Sequence, residues 1–544
     1  MTRPLIGAAI IGLTLFTFFQ FPGHTWLQSD TQIYGPILEH MRDPSVLGKD
    51  ILVERPHVAF TLYDEITVAW ARLTGLSIER ILACEQIVLR GLGTLGVYLL
   101  AAGLGLAPGP ALLVTAAFSL GATIMGPAVL TIEYEPVPRG FAVPLLMLAV
   151  GLMAQGRQVA AGVAGAAAFL FHAPTCLPFW TVCFVWVLWP GEGRAQRARV
   201  LIPLSIAAIV LWLFSRPQTA SSEPQEFFGR VEPWLEALQR VRGSYNWISV
   251  WWRQWLLHYT LLWIATVAAC WRLRASMTRD QRIFLAGIPL YGILSVPASF
   301  VLLEGMKWSL MPQVQPMRAL LFVTAFAVIL GAVAGCRAAQ NHRWLEAFLW
   351  FLVVFIVPAN RVVELPSLSR TALIASLAAA TVAALWLHET HRAGSWAAIA
   401  VAAALPFFLI PTWGAIKNYP AFEHKALTEV AQWARAATQK DDVFLFPDSA
   451  ENLRPGVFRE EALRAVYVDW KGGGQINFLK QLGAEWWSRW QRVMAGGFDP
   501  RNLERYRGLG IDYLVVEKKN RLAAPQPAFE NAGFAVYSVP ALTP

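Results

Sequence analysis

Long apolar runs recur from one end of this chain to about residue 413, and they constrain the fold more than any other feature. A membrane-spanning helix needs about 20 mostly apolar residues. Runs approaching that length lie at 4–22, 79–102, 109–127, 139–154, 158–172, 174–190, 198–214, 253–271, 283–303, 318–336, 344–358, 371–388 and 396–413. The chain is 56% hydrophobic and only 15% charged, so a water-soluble fold would leave most of its apolar surface wet. The sequence therefore predicts a polytopic α-helical membrane protein with about thirteen spanning helices. His172-Ala173-Pro174 separates two of the runs, which read as two spans or one broken element. The run after Arg3 ends in Phe18-Phe19-Gln20-Phe21-Pro22 without a small-residue cleavage site, so it reads as an uncleaved first span.

Charge asymmetry gives an orientation. With the N-terminus inside, Arg157, Arg194, Arg197, Arg199, Arg272, Arg274, Arg279, Arg337, Arg343 and Arg392 fall on the inner side. Most acids, among them Asp30, Glu39, Asp43, Asp50, Glu133, Glu135 and Glu304, fall on the outer side. The net charge of +9 is thus explained by topology, and nucleic acid is not an expected partner. Residues 1–415 form the membrane part, with long outer loops at 23–78 and 216–252. Residues 416–544 turn soluble and alternate helical and strand patterns, which predicts a small α/β domain on the outer face. Helices are expected at 422–438, 486–494 and 500–509, and strands at 442–447, 510–517 and 534–539, with one more within 462–470. Helical patterns over 30–41 and 57–73 are expected to lie flat at the interface. The aromatic cluster Tyr245, Trp247, Trp251, Trp252 and Trp255 suits the headgroup region. The five cysteines show no metal spacing and predict no disulfide and no structural zinc.

No phosphate loop, dinucleotide fingerprint or zincin motif is present. The polar residues that invite a chemical reading gather on the outer side. Asp30 follows the first span and could serve as a general base; the alternative is that Ser29-Asp30 caps a helix. Glu133-Tyr134-Glu135 precedes Arg139, which opens the next span and could bind phosphate or anchor at the interface. His172 sits at the break between two runs, where it could act chemically or bond a carbonyl freed by Pro174. Gln315 precedes Arg318, a second arginine that opens a span from the outer side. Arg216, Arg230, Lys307, Trp308 and the Lys518-Lys519 pair read as loop or surface residues, and Gly472-Gly473-Gly474 as a turn. Arg90 lies inside the second span.

This order of parts resembles the GT-C class of membrane glycosyltransferases, which includes the protein O-mannosyltransferases and the aminoarabinose transferases of lipid A. The residues that carry the resemblance are the early acid Asp30, Arg139-Gly-Phe-Ala-Val-Pro-Leu, Gly156-Arg157, Phe171-His172-Ala-Pro-Thr-Cys-Leu-Pro-Phe179, Gln315-Pro-Met-Arg318, and Phe458-Arg459 with Asp469-Trp470-Lys471. Many members carry two adjacent acids where this chain has Ser29-Asp30. The resemblance implies a polyprenyl-phosphate sugar donor and an acceptor lipid, glycan or protein. It also implies a bacterial inner-membrane location, with a cytoplasmic N-terminus and a periplasmic C-terminal domain. It gives Asp30 the role of base or metal ligand. The donor phosphate would fall to Arg139, His172, Gln315 and Arg318, with Glu133 and Glu135 beside them. The resemblance and the residues name no certain cofactor, and a divalent cation is left open. A lipid or polysaccharide transporter and a non-catalytic envelope scaffold are the competing readings. Convergence of Asp30, Arg139, His172 and Arg318 on one cavity would favour the enzyme.

Overall fold

The structure, a computed structural model, describes residues 1–54, 61–190, 193–220, 228–358, 368–387, 394–408 and 424–539. The start of the 57–73 pattern and the boundary placed at 415/416 lie outside these residues. Helix α1 (Arg3–Phe19) leads to α2 (Thr31–Arg42) and α3 (Tyr63–Thr74). Then come α4 (Ile78–Gly103), α5 (Pro108–Ser119), a two-stranded hairpin of β1 (Thr123–Ile124) and β2 (Val129–Leu130), α6 (Pro138–Ala154) and α7 (Gln158–Leu188). The membrane part continues through α8 (Arg194–Ala198), α9 (Leu201–Ala220), α10 (Pro233–Arg242), α11 (Arg253–Leu273), α12 (Arg279–Ser299) and the single turn α13 (Met311–Val314). It closes with α14 (Leu320–Gln340), α15 (Trp344–Ile356), α16 (Leu368–Leu387) and α17 (Ser395–Phe408). Among the described residues, seven helical stretches are long and apolar enough to cross a membrane, and shorter apolar helices pack with them. This is a multi-pass membrane protein.

Packing orders these helices. The 311–340 stretch that ends in α14 carries a wholly buried window at the centre of the bundle. Glycines on α4 let α6 approach at backbone distance: a β-carbon at Gly96 would lie 2.4 Å from the Leu148 backbone, and one at Gly151 would lie 2.1 Å from the Gly96 carbonyl. Small residues at such crossings replace the hydrophobic drive that lipid cannot supply. Helix α7 is not a straight rod. His172 has non-helical angles (φ −157°, ψ 88°), and Trp180 Nε1 donates to the Gly165 carbonyl at 3.3 Å. Residues so far apart in a helix touch only if the chain folds back, so α7 is a hairpin with its tip at His172. Pro174, which cannot extend the helical ladder, supplies the local reason. At the tip, Leu62 N donates to Leu170 O at 2.8 Å. At the far end, Gln281 Nε2 donates to Gly103 O and Ala154 O, and Trp186 Nε1 to Asp280. The tip, α2 and α3 therefore share one side of the bundle.

On that side lie α18 (Lys425–Ala437), β3 (Val443–Leu445), α19 (Arg454–Ala462), β4 (Ala465–Val466), α20 (Lys480–Met494), β5 (Tyr513–Glu517), β6 (Phe529–Glu530) and β7 (Phe534–Ser538). The five strands form one sheet, ordered β4-β3-β5-β7-β6, with β3 parallel to its neighbours and β7 antiparallel to both of its own. Helices α18 and α19 cover one face. The other face packs on α20 together with Ile33, Ile37, Ile51 and Leu52 from the first long loop. The outer loop thus completes the core of the C-terminal unit.

Several expectations change here. Helix α2 does not lie on lipid: Thr31, Gln32, Ile33, Ile37 and Leu38 are buried, because it is sandwiched between the bundle and the C-terminal unit. The 500–509 segment is only a 3₁₀ turn at Leu503–Tyr506, bounded by Gly508 and Gly510 with positive φ. Trp247 and Trp251 are buried, while Trp252 is 65% exposed and stacks on Trp255. Arg90 is structural. It donates to the carbonyls of Thr17, Gly23 and Glu133, closing the end of α1.

Candidate active site

The site forms where α1 hands over to α2. Asp30 occupies the N-cap position of α2, yet its side chain makes no capping hydrogen bond. Glu135, from the loop before α6, takes that task. Its carboxylate accepts from Ser29 N at 2.7 Å, Asp30 N at 2.8 Å and Thr31 Oγ1 at 2.5 Å. A carboxylate at a helix N-terminus also suits the helix dipole. Burial, then the nearby Asp30 charge, pushes the Glu135 carboxyl above its ordinary range.

Released from capping, the Asp30 carboxylate meets two cations. Oδ2 lies 3.0 Å from an Arg139 guanidinium nitrogen, and Oδ1 lies 2.6 Å from Lys471 Nζ. Burial opposes ionisation, but Lys471, Arg139 and Arg318 together outweigh it and hold the carboxyl well below the usual range. Lys471 Nζ also donates to Ser29 Oγ at 2.7 Å. Arg139 is oriented by Glu133, whose Oε1 accepts from its Nε at 2.6 Å. Glu133 and Glu135 thus support the groups around Asp30, and neither lines the pocket described next. Each oxygen of the Asp30 carboxylate thus has a cation partner. Among the described residues no group of three or more His, Cys, Asp or Glu side chains could hold a metal.

Beside this cluster is a narrow recess, with an enclosed volume of about 10 Å³, lined by His172, Thr175, Tyr291, Gln315, Arg318 and Phe322 among others. His172 Nδ1 accepts from Thr175 N at 3.2 Å. A backbone amide can only donate, so Nδ1 carries no proton, and a neutral imidazole then bears its hydrogen on Nε2. Gln315 sits in the left-handed region at φ 51°, and its buried Nε2 has no hydrogen-bond partner among the described residues. Arg318 lies 4.9 Å over the Tyr245 ring; its Nε is buried without a hydrogen bond, and the described residues give the guanidinium no ion pair. An unpaired guanidinium and an unpaired amide at one pocket make a place for an anion.

Asp30, Arg139 and Arg318 therefore act on one another, and His172, Gln315 and Arg318 share a pocket next to them. Three neighbours were not singled out from sequence. Tyr34 lies one helical turn after Asp30, among Arg139, Arg318 and Tyr245; burial, then Asp30, pushes its phenol above the ordinary range. The i, i+4 spacing of Asp30 and Tyr34 was the available signal. Tyr245 stood out only as one of an aromatic cluster. Lys471 had no local signal beyond its place in Asp469-Trp470-Lys471.

Residues 425–493 match a family described as a domain of unknown function (DUF6798). No curated protein matches the chain. Among solved structures, a mutant form of the arabinofuranosyltransferase AftD from Mycobacteria aligns with 99% of this chain at TM-score 0.50 and 16% identity. This chain covers 42% of that AftD chain, less than half of its length. The apo structure of ArnT from Cupriavidus metallidurans aligns with 98% of this chain and 97% of its own at TM-score 0.45 and 15% identity. In overall fold, then, this multi-pass protein is similar to the GT-C membrane glycosyltransferases.

Proposed function

We propose that the protein transfers a sugar from a polyprenyl-phosphate donor to an acceptor hydroxyl at the outer face of a bacterial inner membrane. The observation that carries this reading is the Asp30 carboxylate, freed from helix capping by Glu135 and set between Arg139 and Lys471 beside the unpaired Arg318. A non-catalytic scaffold gives no reason for that convergence. In the reaction, the acceptor oxygen attacks the anomeric carbon, the bond from that carbon to the phosphate oxygen breaks, and Asp30 takes the acceptor's proton. Arg139 and Arg318 stabilise the charge that develops on the departing phosphate. Gln315 Nε2 and the Nε2 hydrogen of His172 are further donors at the pocket. The lipid tail of the donor lies between membrane helices, and the C-terminal unit, read as periplasmic, positions the acceptor.

The test is turnover of the full-length protein in proteoliposomes with a polyprenyl-phosphate sugar. Asp30→Asn is expected to lower transfer by about 10²-fold or more, with chromatographic behaviour unchanged and donor binding not weakened. Wild-type turnover in that variant would remove Asp30 from the mechanism.

A further inference from the structure

Asp30 is a poor base as it stands, because two cations hold its carboxylate. One of them, Lys471, comes from the C-terminal unit, 441 residues further along the chain. Its backbone is fixed. Lys471 N donates to Asp469 Oδ2 at 3.1 Å, and Asp469 Oδ1 pairs at 2.6 Å with Arg459, whose side chain is fully buried. Trp486 Nε1 donates to Asp469 O at 2.7 Å. A β-carbon at Gly473 would lie 2.5 Å from the Trp486 ring, so only glycine lets this turn sit where it does. Arg242 covers the Trp470 ring at 3.9 Å. A rigid turn therefore presents an ammonium on a flexible four-carbon stem. On the other side of Asp30, Arg318 offers a cation with no anion paired to it.

We propose that Lys471 is a donor-phosphate ligand supplied by the C-terminal unit, and that Asp30 and the phosphate compete for its ammonium. Without donor, Lys471 rests on Asp30 and Ser29. With donor, it turns to a phosphate oxygen alongside Arg318, and the carboxylate sheds one of its two cations when a base is needed. Lys471 thus couples arrival of the phosphate to release of Asp30. This inference rests on the donor assigned above.

The experiment measures binding of polyprenyl phosphate, with uncharged polyprenol as control, to the full-length protein in nanodiscs. It compares wild type, Lys471→Met, Lys471→Arg, Asp30→Asn and the Asp30→Asn/Lys471→Met double variant. Lys471→Met is expected to weaken phosphate binding roughly 10- to 100-fold, the range of one charge-assisted hydrogen bond. Lys471→Arg retains most of the affinity, which separates loss of the cation from loss of the fold. Asp30→Asn tightens binding when Lys471 is present and does so clearly less when it is absent. Equal tightening in both backgrounds, or wild-type affinity in Lys471→Met, overturns the competition; the transferase reading then still stands or falls on Asp30→Asn turnover. A wild-type protein that binds polyprenol as well as its phosphate overturns the donor assignment and this inference together.

Discussion

Replacing Arg459 with methionine tests the part of the structure that delivers Lys471. Arg459 lies wholly inside the C-terminal unit, with its Nε 2.6 Å from Asp50 Oδ2 and a terminal nitrogen 2.6 Å from Asp469 Oδ1; all three side chains are 0–1% exposed. Asp50 also accepts from Val466 N at 2.8 Å and thereby pins β4 to the first loop. Methionine fills much of the volume but leaves two buried carboxylates facing one another without a cation. Removing one member of a buried ionic group costs about 3–5 kcal/mol, which is roughly 10²- to 10⁴-fold in the opening equilibrium. The loss appears as local opening of the unit, because the bundle does not depend on this triad. Limited proteolysis of the nanodisc-embedded protein, followed by intact mass, reads the opening as faster cleavage within residues 424–539. The Arg459→Met/Asp50→Asn/Asp469→Asn variant should recover part of the loss, since no unpaired charge remains. Cleavage of Arg459→Met within about twofold of wild type, well under 1 kcal/mol, refutes the claim that these three groups form one buried unit.

Glu460 is buried against α2, where a β-carbon on Gly35 would lie 2.8 Å from its carboxyl carbon. Burial, then the charge of Glu39, raises its carboxyl well above the ordinary range, with Arg42 and Arg435 opposing. The folded state therefore holds this proton more tightly than the unfolded chain. Stability of the α2–α19 contact is full below the ordinary glutamate range and falls as pH rises above it. Glu460→Gln should flatten that dependence and stabilise the contact at neutral pH, checked by proteolytic rates between about pH 5 and pH 8. Glu135→Ala removes the cap of α2 and leaves Ser29 N and Asp30 N without an acceptor, at a cost of about 1–2 kcal/mol. Asp30 then turns back to cap its own helix, so transfer should fall about tenfold or more although Glu135 does not line the pocket beside Asp30; unchanged turnover would show that capping does not position Asp30.

Much of this protein was legible in its sequence because the causes are local. Apolar runs mark helices that bury their own backbone bonds in lipid, and Pro174 after His172 marks the place where one such element turns back. Asp30, Arg139, His172 and Arg318 stood out because ionisable groups beside apolar runs need a reason to be there. What helix α2 packs against was not legible: an amphipathic pattern says that a face is covered, not whether lipid or protein covers it. The decisive feature of the site was not legible either. Whether Asp30 caps α2 depends on Glu135, 105 residues away, and whether its carboxylate is paired depends on Lys471, beyond every membrane helix. The sequence by itself determined that the chain crosses a membrane many times and which polar groups were candidates, since those follow from periodicity and hydropathy within one element; it expected about thirteen spans, and seven helical stretches among the described residues are long and apolar enough to cross. Only the tertiary structure decided which carboxylate is free and which cation holds it, since ion pairs form between side chains that the folded backbone brings within about 3 Å, whatever their separation along the chain.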